Sequence, residues 1–433
     1  EAGEIAERVL GPDHPDTLTA KLNMASMMKS RGARAEAEPL LRTGYEKLRR
    51  VFGEDHEKTG SAAGVYGGCL DELGRGREAI PYLEEALRIA RLTRNEDAID
   101  IGEAESNLAD VNRRAGDAAL AVTLQTDAVR IFEKRLGSDH VRTLVARIGL
   151  ANVLVTAGRL DEAEKQFRDL MELCPRLLGE EHPKTLKVLT GYSVLLMRQD
   201  DYAKAAPLLQ RSLDVGRKVD GENAGDTIIT QFNLACALRE TDRVKEAETL
   251  FADVVERFRR VFGDRHPNTS IVIAGQSELF WKLRRYDEAQ AGFRAAIDIS
   301  KATKNSAAPW QTHLLGRVLL DSGDAAAAEP VLRDAVTELL AVRGPQHVFT
   351  GTARLYHGVA LLRLGRFEES EGALTAAETV LSASDKPSAK RESRVLVASM
   401  AELYERWNMA AASDERARLA AEWAKRRDER VGE

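Results

Sequence analysis

LGEEHPKT, residues 178–185, reads as a turn running into a helix, and it is not unique in the chain. LGPDHPDT occupies 10–17 and FGDRHPNT occupies 262–269. Gly and Pro punctuate a chain, and Pro suits the first position of a helix. The recurrence of His in a fixed frame calls for a structural cause. His14, His56, His140, His182 and His266 lie 42, 84, 42 and 84 residues apart. The missing steps fall at Ala98 and Ala224, where NEDAIDI and GENAGDT keep the frame. A further step lands at Ala308 in NSAAPWQ, and His347 in GPQHVFT arrives three residues early.

A second marker has the same period. Gly32, Gly74, Gly116, Gly158, Gly323 and Gly365 open short segments such as GRLDEA (158–163), and Asp200, Asp242 and Arg284 hold the equivalent place elsewhere. This Gly follows the His by 18 residues, and by 15 in the unit at Ala308, which has lost three residues. Internal repetition at such a period signals a repeat architecture.

Within a unit two stretches carry helical periodicity. In the fourth, Leu144, Ile148, Ala151 and Val155 recur at helical spacing, and beyond Gly158 so do Ala163, Phe167, Leu170, Met171 and Cys174. Gly158 suits the left-handed position that closes a first helix, and Asp161 with Glu164 reads as a capping pair for a second. No sustained period-2 alternation bounded by turns occurs. Each unit is therefore expected to be helix A, a tight turn, helix B, and a loop carrying the His. About ten A helices are expected near 16–31, 58–73, 100–115, 142–157, 184–199, 226–241, 268–283, 309–322, 349–364 and 388–406. Two such helices cannot bury both apolar faces alone; stacked on neighbours they can. The expected fold is all-α, a right-handed α-solenoid. Residues 1–10 read as the end of a truncated preceding repeat, 11–383 as tandem 42-residue repeats, and 384–433 as the last repeat with a C-terminal capping helix closed by Trp407 and Trp423. The opening EAGEIAERVL has no initiator Met and reads as cut from a longer protein.

The His is then expected to serve structure. Pro would take the first helical position, Asp or Thr beside it would accept bonds from the unpaired N–H groups, and the ring would pack in the loop and bond to a neighbouring turn. Successive helices lie about 8–10 Å apart, too far for histidines one repeat apart to share a metal.

Bulk composition agrees. At 433 residues, 43% hydrophobic and 30% charged, the chain is ample for a packed core. Net charge is −6 without a basic stripe, which argues against a nucleic-acid partner. No apolar run reaches the length of a membrane span, so membrane insertion by this segment is not expected. Cys69, Cys174 and Cys236 are unevenly spaced and suit a reducing compartment, hence a cytoplasmic placement; an extracytoplasmic one stays open if a membrane span precedes the repeats. No HRD, DFG, P-loop, HExxH, CxxC or GxSxG occurs, and GVYGG (64–68) falls mid-helix in the repeat frame. No enzyme activity and no cofactor are expected.

Small residues at Gly67, Ala79 and Ala86 in the second unit resemble the signature of the tetratricopeptide repeat. The 42-residue length with LGxxHPxT and GRxxEA looks like the kinesin light chain type, also found C-terminal to bacterial serine/threonine kinase domains. The ending LYERWNMAAASDERARLAAEWAKRR resembles the close of such kinase-linked arrays. The resemblance implies a protein–protein interaction scaffold that holds a protein or peptide partner on its A helices, as the regulatory or recruiting region of a kinase. An allosteric sensor that binds a small peptide or metabolite and changes curvature is the alternative.

In the family a mid-helix Asn lines the peptide groove. By position this Asn corresponds to Asn23, Asn107 and Asn233, while Val65, Gly149, Gly191, Gly275, Leu314 and Tyr356 depart from it. Asn152, Arg113, Arg114, Arg198, Arg239, Trp281, Lys282 and Arg317 follow along the same face, with Trp310 opening the shortened unit. Arg and Trp are common interface anchors, and Arg forks onto carboxylates. These residues are expected to form a basic, partly aromatic strip for an acidic or carboxylate-bearing peptide. The competing reading is a solvated face whose cations pair with Glu72, Asp110, Glu240 and Glu278.

Overall fold

A computed structural model describes residues 2–30, 33–241, 243–384 and 387–431. Gly32 and Asp242 lie outside the described residues. Twenty-one α-helices and no strands occur among the described residues. Helix α1 (Ala2–Leu10) precedes ten hairpins of an A and a B helix. These are α2 (Pro15–Ser30) with α3 (Arg34–Phe52), α4 (Glu57–Glu72) with α5 (Gly76–Thr93), and α6 (Ile99–Ala115) with α7 (Ala118–Leu136). Next come α8 (Val141–Ala157) with α9 (Leu160–Leu178), α10 (Pro183–Arg198) with α11 (Tyr202–Val219), and α12 (Gly225–Glu240) with α13 (Val244–Phe262). The series ends with α14 (Pro267–Lys282) and α15 (Tyr286–Ala302), α16 (Ala308–Asp321) and α17 (Ala325–Arg343), α18 (Val348–Arg363) and α19 (Phe367–Leu381), and α20 (Pro387–Ala410) and α21 (Asp414–Val431). The chain divides into two compact units, Glu1–Val261 and Phe262–Glu433, each a stack of hairpins.

Every A helix begins one residue before its expected start, and in the His-bearing units the His caps it. His56, His140, His182, His266 and His347 are themselves the N-caps. In each, Nδ1 accepts the backbone N–H two residues on at 3.1 Å, and His14 does so at 3.2 Å. The acceptor expected from Asp or Thr is thus the imidazole, and it serves its own helix. The Thr instead donates: Oγ1 of Thr59, Thr143, Thr185, Thr269 and Thr350 bonds the carbonyl of the Gly six residues earlier at 2.7–2.9 Å. That Gly ends the preceding B helix with φ 87° and ψ 164° at Gly137, a region open essentially to glycine alone. The octet is therefore one unit: Gly stops helix B, Thr ties the turn back to it, and His caps helix A. The rings also pack in the loop, His56 against Phe52 at 4.4 Å and His266 against Phe262 at 5.2 Å. Ala98 and Ala224 keep the cap conformation without a side-chain bond.

The A-to-B turn departs from expectation. Asp161 and Glu164 do not form a capping pair; Arg159 is the N-cap and makes no cap bond of its own. Its guanidinium forks onto Glu162 through two 2.6 Å bonds. The same fork recurs in Arg75–Glu78, Arg243–Glu246, Arg285–Glu288 and Arg366–Glu369. Asp117, Asp201 and Asp324 take the other solution and cap helix B directly. Gly158 closes helix A in the left-handed conformation. Asp200 and Arg284 carry φ of 62° and 60° in its place, a strained setting for a side chain. Arg284→Gly is expected to stabilise the second unit by about 0.5 kcal/mol, since relief of strain exceeds the added unfolded-chain entropy. A raised urea midpoint with unchanged slope would show it; a lowered midpoint would count against it.

The core lies between the A and B layers. Ala25, Gly67, Ala109, Ala151, Ser193, Ala235, Ser277, Gly316 and Gly358 keep the middle of the first nine A helices small, and all are buried. Ala37, Ala79, Ala121, Ala163, Ala205, Ala247, Ala289, Ala328 and Ser370 do the same early in each B helix, all fully buried. A Cβ at Gly67 would stand 2.9 Å from Leu83, and at Gly316 2.4 Å from Leu332, so these glycines let the two helices of a hairpin close. Phe167, Phe251 and Phe293 are the largest fully buried side chains. In the second unit Trp423 is buried in the terminal cluster with Leu396, Met400 and Tyr404, and Trp407 packs against it.

Candidate interaction face

The nominated residues all fall on A helices, but in two groups. Asn23, Asn107, Arg113, Arg114, Asn152, Arg198, Asn233 and Arg239 belong to the first unit; Trp281, Lys282, Trp310 and Arg317 belong to the second. Asn23 and Asn107 are exposed, and Asn152 and Asn233 are half-buried. None of these four amides makes a side-chain hydrogen bond among the described residues. Their donors and acceptors are open to a partner, in contrast to buried Asn112, which bonds the Leu108 carbonyl at 2.9 Å.

Packing explains where the Asn series stops. A Cβ at Gly191 would stand 2.7 Å from the Phe167 ring and 2.8 Å from Asn152 Oδ1. At Gly149 it would stand 2.9 Å from Gln125 Nε2, which itself bonds Ser106 and the Ala146 carbonyl. Larger side chains on the neighbouring helices have taken the Asn position.

The basic strip is partly neutralised. Arg113 binds Asp110 at 2.8 Å, Arg114 binds Asp110 at 2.9 Å and also Asp71, and Arg239 binds Glu240 at 2.7 Å. Arg198 is exposed and has no ion-pair partner among the described residues. These pairs are only partly exposed: the Arg239 side chain keeps 13% and that of Asp71 16% of its full exposure.

The second unit brings its residues together, along with several that sequence reasoning missed. Arg317 on α16 lies over the ring of Tyr356 from α18 at 4.0 Å and that of Trp281 from α14 at 4.9 Å. Trp281 Nε1 donates to Asp321 at 2.9 Å, and the Tyr356 hydroxyl donates to Glu392 of α20 at 2.9 Å. Burial pushes the Tyr356 hydroxyl up in pKa. Trp310 stacks on Phe349 at 4.4 Å and on His313 at 4.6 Å, and His313 meets Tyr356 edge-on at 5.6 Å. Rings thus touch in series from Phe349 through Trp310 and His313 to Tyr356, and the Arg317 guanidinium links Tyr356 to Trp281. The spacing of Trp310, His313 and Arg317 on one helix face was a readable signal. The Tyr356 contact was not, because it crosses from one repeat to the next.

Cys69 and Cys174 are buried free thiols raised in pKa by that burial, and Cys236 is half-buried. No group of three or more metal-capable side chains occurs among the described residues. No described helix is long and apolar enough to cross a membrane.

Stacked A/B hairpins with small residues at each helix contact define a helical-repeat scaffold. The chain belongs to the tetratricopeptide repeat family: one family model matches residues 20–91, 100–176, 150–218, 184–259 and 226–302, and a second matches 313–386. A Podosopora anserina putative kinesin light chain with nearly identical TPR-like repeats is similar at 22% identity, covering 46% of this chain and 94% of its own, with a TM-score of 0.38. The Rap protein complexed with Competence and Sporulation Factor matches at 12% identity over 86% of this chain and 99% of its own, with a TM-score of 0.56. A clustered mitochondria protein homolog of Emericella nidulans is 22% identical over 152 residues, 34% of this chain; the chain spans 12% of that relative's length. Tetratricopeptide repeats make the chain a protein–protein interaction scaffold, a class generally without catalysis.

Proposed function

We propose that the A-helix face holds a short extended peptide carrying acidic groups, and that the chain acts as the recruiting or regulatory arm of a bacterial signalling kinase. The unpaired amides of Asn23, Asn107, Asn152 and Asn233 carry the first part. An amide that donates and accepts at once matches a peptide backbone, and these four on A helices make no side-chain hydrogen bond among the described residues. Arg198 and Arg239, at the ends of A helices of the first unit, supply positive charge for an acidic segment. The Rap protein, of like fold, is solved in complex with Competence and Sporulation Factor, which is consistent with a ligand-holding role for such a fold. The kinase context rests on the resemblance of the C-terminal segment and on the repeat type.

The test is fluorescence polarisation against a library of acidic peptides, followed by the double change Arg198→Ala, Arg239→Ala. Loss of two charge contacts is expected to weaken the best peptide by roughly tenfold. Unchanged affinity would leave the strip as a solvated surface. Small-angle scattering with and without the peptide separates a passive scaffold from a sensor, which alone changes its dimensions on binding.

A further inference from the structure

Arg317 is held in an unusual way. Two aromatic faces, Tyr356 and Trp281, take the flat sides of its guanidinium, an attraction that fixes the cation without using its N–H groups. Both walls are themselves tied, Trp281 to Asp321 and Tyr356 to Glu392. The nearest carboxylate to Arg317 is that same Glu392, at 3.7 Å, beyond hydrogen-bond range. Arg317 makes no hydrogen bond among the described residues, and its Nε is buried without a partner. Its side chain is 23% exposed, so a ligand can reach it. One turn earlier on α16, His313 is fully buried and neither ring nitrogen has a partner. Burial and the nearby guanidinium hold that imidazole far below its ordinary pKa, hence neutral.

A buried donor without an acceptor is costly, and native proteins leave few of them. Here two such side chains sit on one face of one helix, between the rings of Trp310 and Trp281. A guanidinium clamped by its faces loses little freedom when its edge forks onto a planar oxyanion. We propose that Arg317 is the receptor for a carboxylate borne next to an apolar group, the apolar group lying on Trp310. This rests on the reading of the A-helix face as the binding face and assigns its anchor in the second unit. The carboxylate can come from an acidic side chain or from a chain terminus, and both share this chemistry.

The test uses the whole chain labelled with 5-fluorotryptophan, whose four tryptophans give separate fluorine signals. Phenylacetate is the probe and phenylacetamide its neutral twin. Phenylacetate is expected to shift the Trp281 and Trp310 signals saturably and to leave Trp407 and Trp423 in place. Phenylacetamide is expected to bind about tenfold more weakly or not at all, and Arg317→Lys, which keeps the charge and loses the fork, to weaken phenylacetate by about tenfold. Equal response to acid and amide, or shifts spread over all four signals, would overturn the proposal. The acid–amide comparison needs no variant, so a substitution that disturbs folding does not blunt it. N-acetylphenylalanine and N-acetyl-aspartyl-phenylalaninamide then separate a terminal from a side-chain carboxylate. A peptide that binds the chain while phenylacetate and both of these compounds leave Trp281 and Trp310 unmoved would overturn the Arg317 assignment and spare the broader reading. Phenylacetate binding with no peptide binding would do the reverse.

Discussion

Phe167→Ala is expected to destabilise the first unit by about 3–5 kcal/mol, the range for deleting a fully buried aromatic ring. The ring is 0% exposed on α9 and presses on α10 where Gly191 leaves room for it, with Tyr192 at 6.0 Å. Gly191 has no side chain with which to fill the void, and close-packed surroundings relax only in part. Because a hairpin in a repeat array leans on its neighbours, the loss should be local. Urea unfolding gives the magnitude. Hydrogen exchange should show lost protection concentrated in α8 to α11. A loss below about 1 kcal/mol would mean that the hairpins do not depend on this packing.

Replacing all six capping histidines with alanine is the second large effect. His14, His56, His140, His182, His266 and His347 each accept one first-turn N–H, and a lost N-cap costs about 0.5–1 kcal/mol or more. The sites are far apart along the array, so the effects should add to roughly 3–6 kcal/mol. Six asparagines in their place should recover most of it, because Asn caps as well as any residue. Alanine with no loss, or asparagine with no recovery, would assign the histidines to loop packing alone.

The hairpin series was legible because it rests on local rules repeated many times. A 42-residue period, helical spacing in Leu144 to Val155, and Gly158 at a helix end each point to the same hairpin. In the His-bearing units the cap was missed because the His was read as a loop residue. An imidazole acceptor at an N-cap is rarer than Ser, Thr, Asp or Asn, so Asp and Thr drew the assignment. The Arg159–Glu162 fork was missed for a similar reason: Asp161 and Glu164 match the capping pattern, but α9 begins one residue before Asp161. The candidate site was legible only as positions on a face. That Arg113 and Arg114 are paired, that Gln125 and Phe167 displace the Asn at Gly149 and Gly191, and that Tyr356 covers Arg317 all depend on contacts between repeats. Periodicity within one repeat carries no information about them.

The most direct test of stacked hairpins without individual cores is far-UV circular dichroism of two excised segments through a urea titration. Residues 141–178, one hairpin, should be largely unstructured, since short isolated helices are marginal in water. Residues 141–262, three hairpins, should be helical and unfold cooperatively. A single hairpin that melts in a sharp transition of its own would contradict this physical picture of the fold.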